Sequence, residues 1–186
     1  MNRCLLVFVV LLMPNASYAE LSFEQMETLS SMPPSLKGEF TQEKYLSSLD
    51  ALLVSTGTFS FQRDKSISWK TLEPIKSELL MTPTSIVSRQ GARELARFEA
   101  SSNPALSIFS ELLFAVLTAE WEMLSNYFEL TGQLKGEQWQ AILIPVDTNI
   151  AQVVSRVELR GGTLLDELIL HEGNGDFTKI HFRNRE

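Results

Sequence analysis

From Leu36 to the end of the chain, apolar and polar residues alternate with a period of two in short runs, and turn residues separate the runs. This pattern gives strands with one dry and one wet face, joined by connections too short for crossover helices, and so an antiparallel sheet. Strands are predicted at 36–45, 49–54, 57–63, 66–72, 77–81, 84–90 and 92–99, and after a helical interruption at 127–135, 138–144, 153–160, 164–171 and 177–183. Within 153–160, Val153, Ser155, Val157 and Leu159 alternate against Val154, Arg156, Glu158 and Arg160. Hairpin turns are expected at Gly161 with Gly162 and at Asn174 with Gly175, where positive φ is cheap. Such short links predict a meander.

Two segments break the alternation. A helix is predicted over 23–32, stopped by Pro33 and Pro34. A second is predicted from Asn103, a suitable N-cap, with Pro104 at the first helical position, to about Thr118, followed by a shorter helical turn at 121–126. The stretch from Ala105 to Leu117 is apolar on almost every side, whereas a helix on one sheet normally shows a polar face. Two explanations stand: a helix sunk against a curved sheet, or a cover whose second face lines an apolar cavity.

The N-terminus carries one cation, Arg3, an uncharged apolar run from Cys4 to Met13, and small residues ending in Ala19. It is expected to be a secretory signal peptide, residues 1–19, cut after Ala19. Its apolar run is about ten residues, roughly half of a bilayer span. The single cysteine, Cys4, begins that run, whereas a lipidated cysteine would end it. The mature chain is therefore expected to be soluble and to lack thiol chemistry. Residues 20–186 are enough for one domain with a substantial core. The 16 basic against 23 acidic residues disfavour nucleic acid, whose phosphates need a basic footprint, and disfavour adsorption to anionic lipid by charge alone.

Candidates for catalysis are few. His171 and His181 are the only imidazoles and are placed on different strands of one hairpin, with opposite parity relative to their apolar neighbours. Among known signatures, no nucleophile elbow, phosphate-binding loop, zinc spacing or calcium loop occurs, and Asp166, Glu167, Glu172 and Asp176 are typical of turns and wet faces. The expectation is a non-enzymatic protein without cofactor or metal.

One segment is physically odd. In Gly57-Thr-Phe-Ser-Phe-Gln-Arg63, the alternation puts Phe59, Phe61 and Arg63 on one face, a guanidinium in phase with two phenyl rings. A buried cation is costly unless paired, and the bland alternative is a strand-end arginine with its stem packed and its head in water. With Ile67-Ser-Trp69 and Pro74 following, this run resembles a pattern of the outer-membrane lipoprotein carrier (LolA-like) family. Phe40-Thr-Gln42 is similar to the family's first-strand motif, and Gly175 to Phe182 resembles its closing strand. The resemblance spans nearly the whole mature chain. Asp64 departs from the proline that many carriers have after the arginine, and 82–99 is poor in cavity-lining aromatics, which leaves the cargo open.

The resemblance implies a single antiparallel sheet curved into an unclosed half-barrel, with helices as a lid over its concave face. It implies a periplasmic carrier that binds the acyl chains of lipoproteins, or of another lipid-linked cargo, and moves them from inner to outer membrane. Arg63 would be the lid latch, Phe59, Phe61 and Trp69 wall residues, and Leu106, Phe109, Leu113 and Phe114 the lid. The implied partners are acylated cargo, an ATP-driven release complex of the inner membrane and an outer-membrane acceptor, the carrier itself being monomeric. The alternative is a lipid- or lipoprotein-sensing accessory protein of the same fold that does not transport.

Overall fold

The computed structural model describes residues 21–30, 33–63, 65–99, 114–116, 118–183 and 185. They build one antiparallel sheet of eleven strands: β1 (Ser35–Leu46), β2 (Ala51–Gln62), β3 (Ser66–Glu73), β4 (Ser77–Met81), β5 (Ser85–Gln90), β6 (Arg93–Glu99), β7 (Phe128–Lys135), β8 (Gln138–Pro145), β9 (Val154–Gly161), β10 (Leu165–Glu172) and β11 (Phe177–Arg183). The order is β6-β5-β4-β3-β2-β1-β11-β10-β9-β8-β7, curved but not closed. The expected single meander is therefore two, β1 to β6 and β7 to β11, joined where the first and last strands pair along Glu39 to Tyr45 and Phe177 to Arg183.

The two segments predicted at 49–54 and 57–63 fuse into the unbroken strand β2, and Gly57 does not interrupt it. Its place in the register explains why. Gly57 lies opposite Phe40 and Gly38 opposite Phe59, so each glycine leaves space for the ring across the ladder. A Cβ on Gly57 would meet Phe40 Cζ at 2.7 Å, and one on Gly38 would meet Phe59 Cε1 at 2.9 Å.

The turn at Gly175 has the expected positive φ, 88°, but Gly161 and Gly162 take no such conformation. At Gly161, the last residue of β9, a Cβ would stand 2.4 Å from the Leu164 carbonyl oxygen and 2.9 Å from Trp139 Cζ2. The Gly162 carbonyl accepts the Trp139 indole N–H at 2.6 Å. The glycines serve close packing and not turn geometry.

Helix α1 (Phe23–Leu29) is shorter than the predicted 23–32, since Ser30 is already extended; Ser22 and Gln25 form a capping box at its start. Helix α2 (Trp121–Ser125) falls within its predicted range, and α3 (Thr148–Ala151), capped by Asp147, was not anticipated. Trp121 packs edge-on against Trp139 with centroids 5.8 Å apart, and donates to Ser30 Oγ at 2.6 Å; that hydroxyl donates to the Met26 carbonyl. A buried three-part link thus fastens α1 and α2 to the sheet. Trp121→Phe removes its central donor and is expected to cost about 1–2 kcal/mol, a fall of roughly 2–8 °C in Tm for a domain of this size, readable by thermal circular dichroism.

The sheet's edges are managed differently. On β6, Glu94 holds Arg97 through two charge-assisted hydrogen bonds of 3.0 and 2.9 Å, a charged border that discourages strand addition. On β7, the Leu21 N–H donates to the Gly132 carbonyl at 3.4 Å.

Candidate functional site

Register decides what faces inward. Leu36 and Phe40 on β1, Phe59 and Phe61 on β2, Ile67 and Trp69 on β3, and Ile180 and Phe182 on β11 share the concave side. Their neighbours Lys37, Glu39, Thr58, Ser60, Ser68 and Lys70 alternate to the other side, where they border a polar groove with Gly38 and Phe59. The strands are therefore two-faced as the sequence predicts, and the floor of the half-barrel is aromatic.

Four rings form its centre. Trp69 stacks on Phe40 with centroids 3.8 Å apart, Phe59 meets Phe182 edge-on at 5.4 Å, and Trp69 meets Phe182 edge-on at 6.1 Å. Such pairs add about 0.5–1.5 kcal/mol each beyond simple burial. Beside it lies an apolar cleft lined by Leu36, Phe59, Phe61, Ile67, Leu165, Phe182 and Arg185. Its free volume is about 20 Å³, room for roughly one water, whereas ligand pockets commonly offer about 300–1,000 Å³.

Phe59 and Phe61 are buried and Trp69 is half-buried, so all three wall candidates lie on the concave face. Phe114, in a helical turn at 114–116, is half-buried and meets Phe61 edge-on at 6.1 Å. Leu106, Phe109 and Leu113 lie outside the described residues. Arg63 follows the last residue of β2; its backbone N–H donates to the Pro34 carbonyl at 2.9 Å and its side chain is exposed. It therefore sits at the end of the floor where Phe61 meets Phe114, one residue past Gln62, with its backbone hydrogen bond to Pro34 continuing the β1–β2 register.

An arginine does line the apolar cleft, and it is Arg185. Its Nη1 donates to the Leu165 carbonyl and its Nη2 lies 2.6 Å from Asp166 Oδ1. Alternation within strands could not find it, because it lies past the end of β11, where the path of the chain decides what it faces. Leu36 was recoverable from the parity it shares with Phe40 on β1, and Phe182 from the parity it shares with Ile180 on β11.

Both histidines are on the outer face, correcting their expected opposite parity: His171 pairs across the ladder with Phe177, and His181 with Thr41 and Glu167. His171 Nε2 is 2.8 Å from Glu158, and His181 Nε2 is 3.0 Å from Glu167, which also faces Lys179 at 3.2 Å and Arg160 at 3.5 Å. These carboxylates already have cationic or imidazole neighbours. Asp176, at the β10–β11 turn, is held below the usual carboxylate range by hydrogen bonds from the Ser47 backbone and hydroxyl, which tie that turn to the β1–β2 hairpin.

Among the described residues no group of three or more metal-ligating side chains is assembled, and no helix is long and apolar enough to cross a membrane.

Comparison with solved structures places three similar folds beside this one. A LolA superfamily protein from Nitrosomonas europaea aligns at TM-score 0.45 and 8% identity over 88% of this chain and 90% of that one. The MucA/MucB complex structure of Pseudomonas aeruginosa aligns at TM-score 0.46 and 16% identity, over 82% of this chain and 51% of that one. A DUF1329 family protein from Desulfovibrio piger aligns at TM-score 0.41 and 12% identity, over 88% of each chain. No curated protein matches the sequence. Residues 31–186 match the family model described as "Outer membrane lipoprotein carrier protein LolA", and on that match, which spans every strand of the sheet, the chain belongs to the LolA family.

Proposed function

We propose that this protein is a periplasmic, non-enzymatic carrier that takes the acyl chains of a lipoprotein, or of a related lipid-linked cargo, against the concave floor of its sheet. The observation that supports this most directly is the apolar cleft among Leu36, Phe59, Phe61, Ile67 and Phe182, with Phe114 set edge-on to Phe61 beside it. On this reading residues 1–19 are an export signal, 20–186 form the carrier domain, and the segment 103–118 is the lid. The cleft enlarges when that segment lifts, and apolar wall replaces the apolar lid surface around the incoming chains.

Energetics dictate the partners. A three-chain anchor of roughly 45 methylenes gains about 35 kcal/mol in a membrane, at about 0.8 kcal/mol each. Non-covalent binding to a soluble protein saturates near roughly −20 kcal/mol. Loading therefore needs an energised inner-membrane complex, ATP-driven by the family resemblance, and unloading needs an acceptor in the outer membrane that holds cargo more tightly than the carrier.

Arg63 is assigned as the latch, reaching from the β2–β3 turn to the lid at the end of the floor where Phe61 meets Phe114. Arg63→Leu is expected to leave Tm within about 2 °C, as for most exposed substitutions, and to reduce lipoprotein transfer to acceptor vesicles severalfold in a reconstituted assay. Unchanged transfer would remove the latch. For the carrier reading itself, the mature protein should bind a fluorescent fatty acyl probe and deliver bound lipoprotein to acceptor membranes. Stoichiometric binding without delivery favours the sensing alternative, and no binding at all removes both.

A further inference from the structure

The apolar cleft has one charged wall residue, Arg185, and its surroundings explain how a guanidinium is tolerated there. Its stem lies over the sheet where Gly38 leaves room: a Cβ on Gly38 would stand 3.1 Å from Arg185 Cγ and 2.9 Å from the Phe59 ring. Its head is held at the cleft's mouth by the Leu165 carbonyl and by Asp166, with side-chain exposures of 20% for Arg185 and 37% for Asp166. One end of the cation therefore touches the lining of an apolar slot, while the other is matched by a carboxylate that is itself substantially exposed.

We propose that Arg185 is the head-group site of this cleft: it recognises the oxyanion of an acyl ligand and exchanges Asp166 for it when a chain enters. The exchange needs no new charge in the slot, since one carboxylate replaces another on the same guanidinium. Asp166, being more exposed than Arg185, returns to water at little cost. A planar guanidinium can grip a carboxylate or phosphate through two parallel hydrogen bonds, which a hydroxyl head cannot reproduce. The ligand class is thus a chain of apolar methylenes ending in an oxyanion, either a fatty acid or a single-chain phosphate lipid. This rests on the carrier reading for the cleft itself, but adds a polar end that acyl chains alone do not require.

The test measures palmitate, hexadecanol and a sixteen-carbon lysophosphatidylglycerol by displacement of a fluorescent acyl probe from the mature protein. In the wild type, palmitate should bind more tightly than hexadecanol. Arg185→Gln should weaken palmitate about tenfold or more while leaving hexadecanol within about twofold. Asp166→Asn, which frees the guanidinium, should act in the opposite direction and tighten palmitate severalfold. Opposite signs from the two halves of one ion pair are not expected of a merely structural bridge, whose loss would perturb both variants alike. Arg185 dependence for palmitate alone assigns a carboxylate head, and dependence for the phosphate lipid as well assigns oxyanions in general. If palmitate and hexadecanol respond equally in both variants, the head-group site is overturned and the carrier reading stands. If the wild type binds none of the three, the carrier reading itself fails.

Discussion

Gly57→Val is expected to cost about 3 kcal/mol or more, because overpacking against backbone cannot relax as overpacking against a flexible side chain does. For a chain of this size that is a fall of roughly 6–12 °C in Tm. A Cβ at Gly57 would stand 1.9 Å from the Lys70 carbonyl oxygen and 2.7 Å from Phe40 Cζ. The first is backbone of β3, fixed by the ladder in which Gly57 pairs with Thr71. The second belongs to a ring stacked on Trp69 at 3.8 Å, so moving it also disturbs the centre of the aromatic floor. Gly136→Ala is the proper comparison, since Gly136 has φ of 63° but nothing within 4 Å of its Cβ site. It suffers backbone strain without a clash, whereas Gly57→Val suffers the clash without positive-φ strain, so a much larger fall at Gly57 points to the clash. Thermal melts by circular dichroism suffice; a Gly57→Val protein melting within 2 °C of wild type would mean that the glycine–aromatic pairing does not fix this part of the floor.

That pairing also marks where the sequence could be read and where it could not. Period two located all eleven strands, β2 in two pieces, and put Phe59 and Phe61 inward, because face is a local property fixed by alternation; Trp69 as a wall residue came from the family resemblance. It split β2 at Ser55 and Thr56, just ahead of Gly57, since polar residues running into a glycine look locally like a break. The ring that fills its space, Phe40, is 17 positions away and is brought opposite only by pairing. The same limit hid the joint between β1 and β11, which places Phe182 beside Phe40 and converts two meanders into one sheet. Arg63, expected in phase with Phe61, is exposed just past the strand end at Gln62. Arg185 gave no local signal, because an arginine beyond the last strand is ordinarily solvated. Family resemblance supplied the overall architecture, and geometry supplied the place of Arg185 at the apolar cleft.

Tethering Phe61→Cys to Phe114→Cys with a short bismaleimide is expected to abolish acyl-probe binding, whereas the same double variant left untethered should bind within about threefold of wild type. The two rings meet edge-on with centroids 6.1 Å apart, one on the floor and the other in the helical turn beside it. Because the cleft at Phe61 holds only about 20 Å³, roughly one water, a chain that needs several hundred cubic ångströms can enter only if the wall parts. A covalent bridge between floor and cover forbids that parting without removing any other lining residue. Cys4 is the one cysteine of the sequence, so in a Cys4→Ser background the two introduced thiols are the only ones present and the tether forms at one place. Loss of side-chain packing is controlled by the untethered protein, and gross unfolding by its melt. Full binding by the tethered protein would show that Phe114 does not move when a chain enters, and the cover would have to be sought in another part of the molecule.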